Sequence, residues 1–236
     1  MSFGKRLQIF IDLFFKKGGW KRVVGVGLRN TLLIAVAGLL IGIVIGTLIA
    51  IVRVMPKYKR LPRILNGICS VYVGFFRGTP IVVQLLIANF VLFPLMHVSI
   101  APLTICIIIF GMNSGAYVSE IMRGGIQSVD AGQLEAGRAV GLPYWTAMLK
   151  IVIPQAVKNI LPTLGNEFIT LVKDTSVVSF IAAVDLSKCF TEIGNIRYEY
   201  FIPYFAMAIV YLVLVMLISL GVKMLERRLQ RSERTH

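Results

Sequence analysis

Hydrophobic residues fall in long unbroken runs along this chain, and polar residues gather in the intervals between them. Residues 31–52, 78–96, 98–119 and 200–222 contain no Asp, Glu, Lys or Arg. Each run meets the roughly 18–20 residues needed to cross a hydrocarbon core about 30 Å thick. A fifth apolar segment, 161–184, is interrupted by Glu167, Lys173 and Asp174. The pattern predicts an all-α membrane protein with five transmembrane helices. The first run is too long for a signal-peptide core and no convincing cleavage site follows it, so it is read as retained. The apolar run 7–15 lies between basic residues and predicts an interfacial helix on the bilayer. This divides the chain into an N-terminal interfacial segment (1–27), a membrane domain (28–225) that includes a polar loop (123–160), and a basic tail (226–236).

Five spans alternate the connections, and Lys and Arg favour the cytoplasmic side. One side receives Arg53, Lys57, Lys59, Arg60 and Arg63, then Arg123, Arg138, Lys150 and Lys158, then Lys223, Arg227, Arg228, Arg231 and Arg234. The other side holds only Lys188 and Arg197 in its connections. The 123–160 loop and the C-terminus are therefore expected in the cytoplasm, and the N-terminus outside. One feature conflicts: Lys5, Arg6, Lys16, Lys17, Lys21, Arg22 and Arg29 then lie on the wrong side. Either the charge rule is outvoted there or the fifth segment does not span. The former is preferred, because translocation of an N-terminal segment depends on more than its own charge.

Composition agrees with a membrane protein: 57% of residues are hydrophobic and 15% charged, against about 45–50% and 25% in soluble domains. The net charge of +14 does not indicate nucleic acid, since basic residues cluster at span ends, where they set orientation and meet anionic lipid. Cys69, Cys106 and Cys189 are odd in number and scattered in apolar surroundings, so neither a disulfide framework nor a metal site is expected.

Within the spans, Gly38, Gly42, Gly46 and Ala50 recur every four residues and predict one helix face that packs closely on another helix. Arg77-Gly78-Thr79-Pro80 opens the second run. Arg77 is either a snorkelling helix-end residue or part of a broken helix facing the protein interior. Asn113, Tyr117 and Glu120 share one helical face, and Asn166, Glu167, Thr170 and Asp174 another. Two polar stripes on adjacent spans are read as a route for a polar substrate; interhelical bonding alone is the alternative.

The stretch 130–154 is a polar, bounded insert. Asp130 is an N-cap, and Gln133 three residues on completes a capping-box-like pattern. Gly141 stands at the stop position, followed by Leu142 and Pro143. A short helix over 131–140 follows, with small residues Ala131, Gly132, Ala136, Gly137 and Ala139 that admit a docking surface, and with Glu135 and Arg138 placed to pair. A second helix runs from Pro143 through Ile153, where Pro154 re-directs the chain.

At these residues the chain resembles the permease subunits of bacterial ABC importers. Glu135-Ala136-Gly137, Gly141 and Ile151-Val152-Ile153-Pro154 fit the spacing of their EAA loop, with Gly137 for alanine and Ile153 for leucine. The segments 77–84, 117–125 and 173–176 are similar to the polar amino-acid branch. The resemblance implies the type I importer permease fold. It also implies that Glu135, Ala136, Gly137, Arg138, Gly141 and Pro154 form a coupling helix and its frame, docked on an ATP-binding subunit. Further implied partners are an extracytoplasmic solute-binding protein, a second permease subunit (identical or related) and an amino-acid substrate. No G-x-x-x-x-G-K-[ST] loop is present, so ATP and Mg are expected on the partner ATPase and no cofactor on this chain. A self-contained secondary transporter would carry an internal inverted repeat, which is not evident. An embedded enzyme is disfavoured because His97 and His236 are the only histidines.

Overall fold

The computed structural model describes residues 2–55 and 60–231, with side chains through residue 228. Lys57, Lys59 and Arg234 therefore lie outside the described residues. The chain forms α1 (Phe3–Ile11), α2 (Gly19–Val54), α3 (Arg60–Gly78), α4 (Ile81–Leu95), α5 (Pro102–Gln127), α6 (Ala131–Ala139), α7 (Ile153–Asp174), α8 (Leu186–Asn195) and α9 (Phe201–Arg231). Among the described residues, α2, α5 and α9 are long and apolar enough to cross a membrane, and α3 with α4 makes a bent pair at 104°. The helices run unbroken across residues 27–28 and 225–226.

The small-residue stripe of α2 meets α5. Gly38 faces Phe110, Gly42 faces Ser114 and Gly46 faces Val118, while Gly111 and Gly115 of α5 receive Ile41 and Ile45 in return. Rising numbers pair with rising numbers, so the two helices are parallel, with their backbones close enough that side chains on either glycine row would collide. α7 runs the opposite way beside α5: Ile160 sits at Gly125, whereas Glu167 sits at Ser114. α9 turns back against α7, with Val222 at Gly165 and Tyr211 near the far end at Asp185. Ile34, Leu85, Phe110, Leu171 and Val178 form the main apolar core between these elements.

Several expected boundaries shift. The second run is not one span starting at residue 78, because the chain turns at Gly78–Pro80 and the helix axis changes direction. The third helix continues past residue 119 to Gln127, since Glu120 and Arg123 pair with each other and remain helical. The interrupted fifth segment is a helix only to Asp174, then a 3-10 turn to Ile181 ended by Ala182 at φ +61°. The N-terminal helix starts earlier than residue 7 and is more than an interfacial rod. In the wide turn that follows it, Leu13 and Phe14 pack on Phe190 and Ile193 of α8, while Phe3, Leu7 and Ile11 of the helix and Phe15 of the turn are exposed. Arg6 pairs with Glu199 and Arg22 with Glu192, so the N-terminal cations meet the acidic residues of the 185–199 connection.

Candidate functional site

The bend between α3 and α4 and the polar stripes of α5 and α7 enclose a cavity of about 400 Å³, within the roughly 300–1,000 Å³ of ligand pockets. Arg77, Thr79, Asn113 and Tyr117 line one side, and Glu167, Thr170 and Asp174 the other. Of the expected route residues, Asn113, Tyr117, Glu167 and Thr170 thus come together. Asn166 does not line the cavity; it is exposed, and its backbone carbonyl accepts from the Thr170 hydroxyl at 3.1 Å.

Glu120 departs further from expectation. It shares the face of Asn113 and Tyr117 but is held by arginines from three elements. Arg53 of α2 donates to its Oε1, Arg123 donates to Oε2 at 2.6 and 3.0 Å, and Arg77 Nη1 lies 3.9 Å from Oε1. One carboxylate among three guanidiniums is a structural hub. Arg77 is the member that also reaches the cavity, its guanidinium 5.3 Å from the Tyr117 ring centre, within cation–π range. Arg77 thus stands at a broken segment and faces α5 through Glu120 and Tyr117, with its side chain 44% exposed.

Gln84, noted in the sequence only as part of a resemblance, is buried and donates to the carbonyls at the broken end of α3. Ser114 donates to Glu167 at 3.1 Å and so links the two walls. The sequence signal for both was weak: the partner of Ser114 lies 53 residues on, and the carbonyls that Gln84 meets, 8 and 5 residues back, come within its reach only through the turn.

The second candidate surface is the α6 hairpin. Asp130 accepts from Gly132 N at 2.6 Å, the expected cap. Gln133 does not close a box; its side chain accepts from Gln155 instead. Gly141 takes φ +89°, Gly141 N donates to Arg138 O, and Leu142 N donates to Gly137 O, which is the paired C-terminal closure expected of a glycine stop. Glu135, Ala136, Arg138 and Gly141 are exposed. The described ion pairs include neither Glu135 nor Arg138. Gly137 is buried and does not open the helix to another surface, because an added Cβ would fall 2.8 Å from Ile151. Nor does Pro154 break the chain. A wide π turn at Met148–Val152 precedes it, and the helix continues to Asp174. Val140, Trp145 and Leu149 leave an uncovered apolar rim around this tip.

Residues 38–231 match the profile of the binding-protein-dependent transport system inner membrane components. The chain belongs to this family. The putative glutamine transport system permease protein GlnP of Rickettsia felis is 40% identical over 203 residues, covering 86% of this chain and 91% of its own. The arginine transport system permease protein ArtQ of Bacillus subtilis is 36% identical over 207 residues, covering 88% and 92%. A solved structure described as an amino acid ABC transporter with histidines superimposes with a TM-score of 0.82 at 36% identity, covering 91% of this chain and 98% of that one. This inner membrane component is thus a multi-pass permease subunit of an ABC importer, and its fold is that of type I importer permeases. Such a subunit works with an ATPase and a binding protein and is not itself a catalytic domain.

Proposed function

We propose that this chain passes a polar or cationic amino acid, delivered by a solute-binding protein, through the cavity between the α3–α4 bend, α5 and α7. The observation that carries this is the charge of the lining, with Arg77 on one wall and Glu167 and Asp174 on the other. A guanidinium suits the substrate carboxylate, and two carboxylates suit its ammonium together with a cationic or amide side chain. Relatives named for glutamine and arginine agree with that class.

In this reading the α6 hairpin is the coupling element. Its exposed Glu135, Ala136, Arg138 and Gly141 and its apolar rim dock on the ATPase, while Gly137 and Pro154 shape it from within. ATP and Mg act on the partner ATPase. The hairpin and C-terminus are cytoplasmic and the N-terminus is outside, where the Arg6–Glu199 and Arg22–Glu192 pairs offset the charge-rule conflict. A second permease subunit covers part of the apolar surface left open on α3 and α9. ATP binding closes the ATPase pair, the hairpins move and the cavity changes sides, which requires different affinities in the two states.

The test is uptake by the complete complex in proteoliposomes, comparing arginine, lysine, glutamine and glutamate. Glu167→Gln is expected to lower uptake of the cationic substrates about tenfold relative to the neutral one, the effect of about 1.4 kcal/mol. Unchanged selectivity in Glu167→Gln, and in Glu167→Gln with Asp174→Asn, overturns the role of the acidic wall.

A further inference from the structure

The corner between α3 and α4 has the composition of a hinge, since Gly78 and Pro80 stand within it, yet hydrogen bonds close it. The last carbonyls of a helix have no partner inside that helix. Here the Thr79 hydroxyl donates to Phe75 O at 2.8 Å, and Gln84 Nε2 donates to Phe76 O at 2.9 Å and Thr79 O at 3.0 Å. Asn113 of α5 donates Nδ2 to Phe76 O at 3.2 Å and to Gln84 Oε1 at 3.0 Å. Gln84 and Asn113 are only 4% and 7% exposed. Carbonyl oxygens only accept, so Gln84 must turn its nitrogen toward them, and its oxygen then faces Asn113. The backbone thereby dictates both amide orientations. Phe76 O, one residue before Arg77, is where α3, α4 and α5 are joined. Both Nδ2 hydrogens of Asn113 are engaged, which leaves its Oδ1 for anything in the cavity.

We propose that Gln84 and Asn113 are positioning residues that make the Gly78–Pro80 corner a rigid bracket and fix Arg77 in the cavity wall. The proposal rests on the cavity being the transport path. The end of α3, α4 and α5 then move as one body. The cavity changes shape by displacement of α7, which carries Glu167, Thr170 and Asp174 and continues into the coupling hairpin without a helical break.

The test uses the full complex in proteoliposomes with Cys69→Ser and a reporter cysteine at Ile81, which lines the cavity. Labelling by a membrane-impermeant maleimide is followed with and without ATP, alongside uptake. Gln84→Leu removes the bonds to Phe76 O, Thr79 O and Asn113 together and is expected to raise the labelling rate in both states by at least about tenfold, the fold-change of a single lost buried hydrogen bond. The exchange Gln84→Asn with Asn113→Gln is expected to restore slow labelling where either single change does not. Unchanged labelling in Gln84→Leu, or an exchange no better than the singles, overturns the bracket. If Gln84→Leu does not assemble, the exchange decides alone. Labelling does not depend on which solute moves, so absent amino-acid uptake in the unmodified complex counts against the transport reading and not against the bracket.

Discussion

Gly42 lies so close to Ser114 that a Cβ on the glycine would fall 2.6 Å from the serine Oγ. That same hydroxyl donates to Glu167. The contact that packs α2 on α5 and the contact that braces the cavity therefore share one atom. Gly42→Leu must displace Ser114, and overpacking of this kind costs about 1–3 kcal/mol. The expected result is a lower thermal midpoint for the solubilised complex together with reduced uptake. Gly25→Leu, on α2 itself, where an added Cβ meets nothing within 4 Å, is the control and should change neither. Equal behaviour of the two variants would remove the contact from the account.

Glu120 ties α2, α3 and α5 together through Arg53, Arg77 and Arg123. Removing the carboxylate leaves three like charges facing one another. The side chains of Glu120 and Arg53 are each 18% exposed. The cost of Glu120→Ala should therefore lie between about 1 kcal/mol for an exposed pair and about 3–5 kcal/mol for a buried one broken from one side. A thermal-shift measurement should show this loss, and adding Arg53→Ala to it should cost less than that change costs in the unmodified protein. Strict additivity of the two would mean that they do not act as a pair.

What could be read from the sequence was local or periodic. The step of four in Gly38, Gly42 and Gly46 announced a close helix contact, but a single periodicity does not name its partner, which is α5. Asp130 and Gly141 were legible because a cap and a stop act on backbone groups a few residues away. Gln133 was misread because Gln155, its partner, is 22 residues on. Hydropathy marked residues 78–96 as one run and did not register the turn, since apolarity carries no direction. Asn113, Tyr117, Glu167 and Thr170 converge as helical spacing expected. Glu120 has the same spacing but is held by Arg123 one turn on and by Arg53 and Arg77 from other helices, and the bracket role of Gln84 depends on a carbonyl of another helix.

The three thiols should differ in reactivity. Cys69 is half-buried, while Cys106 and Cys189 are buried. Burial pushes the Cys189 thiol up to about 11, and the thiolate is the reactive form. At neutral pH, brief maleimide treatment of the folded complex should label at most Cys69. Cys189 should become reactive only on unfolding, or as the pH rises toward its raised value. Mass spectrometry of labelled peptides reads this directly, and fast labelling of Cys189 at neutral pH would contradict its packing against α2.

Gly141 and Gly137 stand in one hairpin but should fail in different ways. Gly141 has φ +89° and open space where a side chain would point. Gly141→Val therefore strains the backbone, at about 1–2 kcal/mol for a left-handed residue, without a clash. It disturbs the closure of α6 on Arg138 O and Gly137 O and so the shape of the tip. Insertion and ATPase binding should persist while uptake is lost and ATP hydrolysis continues. Gly141→Asn, which tolerates this conformation, should retain most uptake. Gly137→Leu instead drives a side chain into Ile151 and Ala147 and should lift α6 off its support, so that the ATPase no longer co-purifies. If Gly141→Val transports normally with hydrolysis still coupled, the tip is not the element that transmits displacement, whatever Gly137→Leu does.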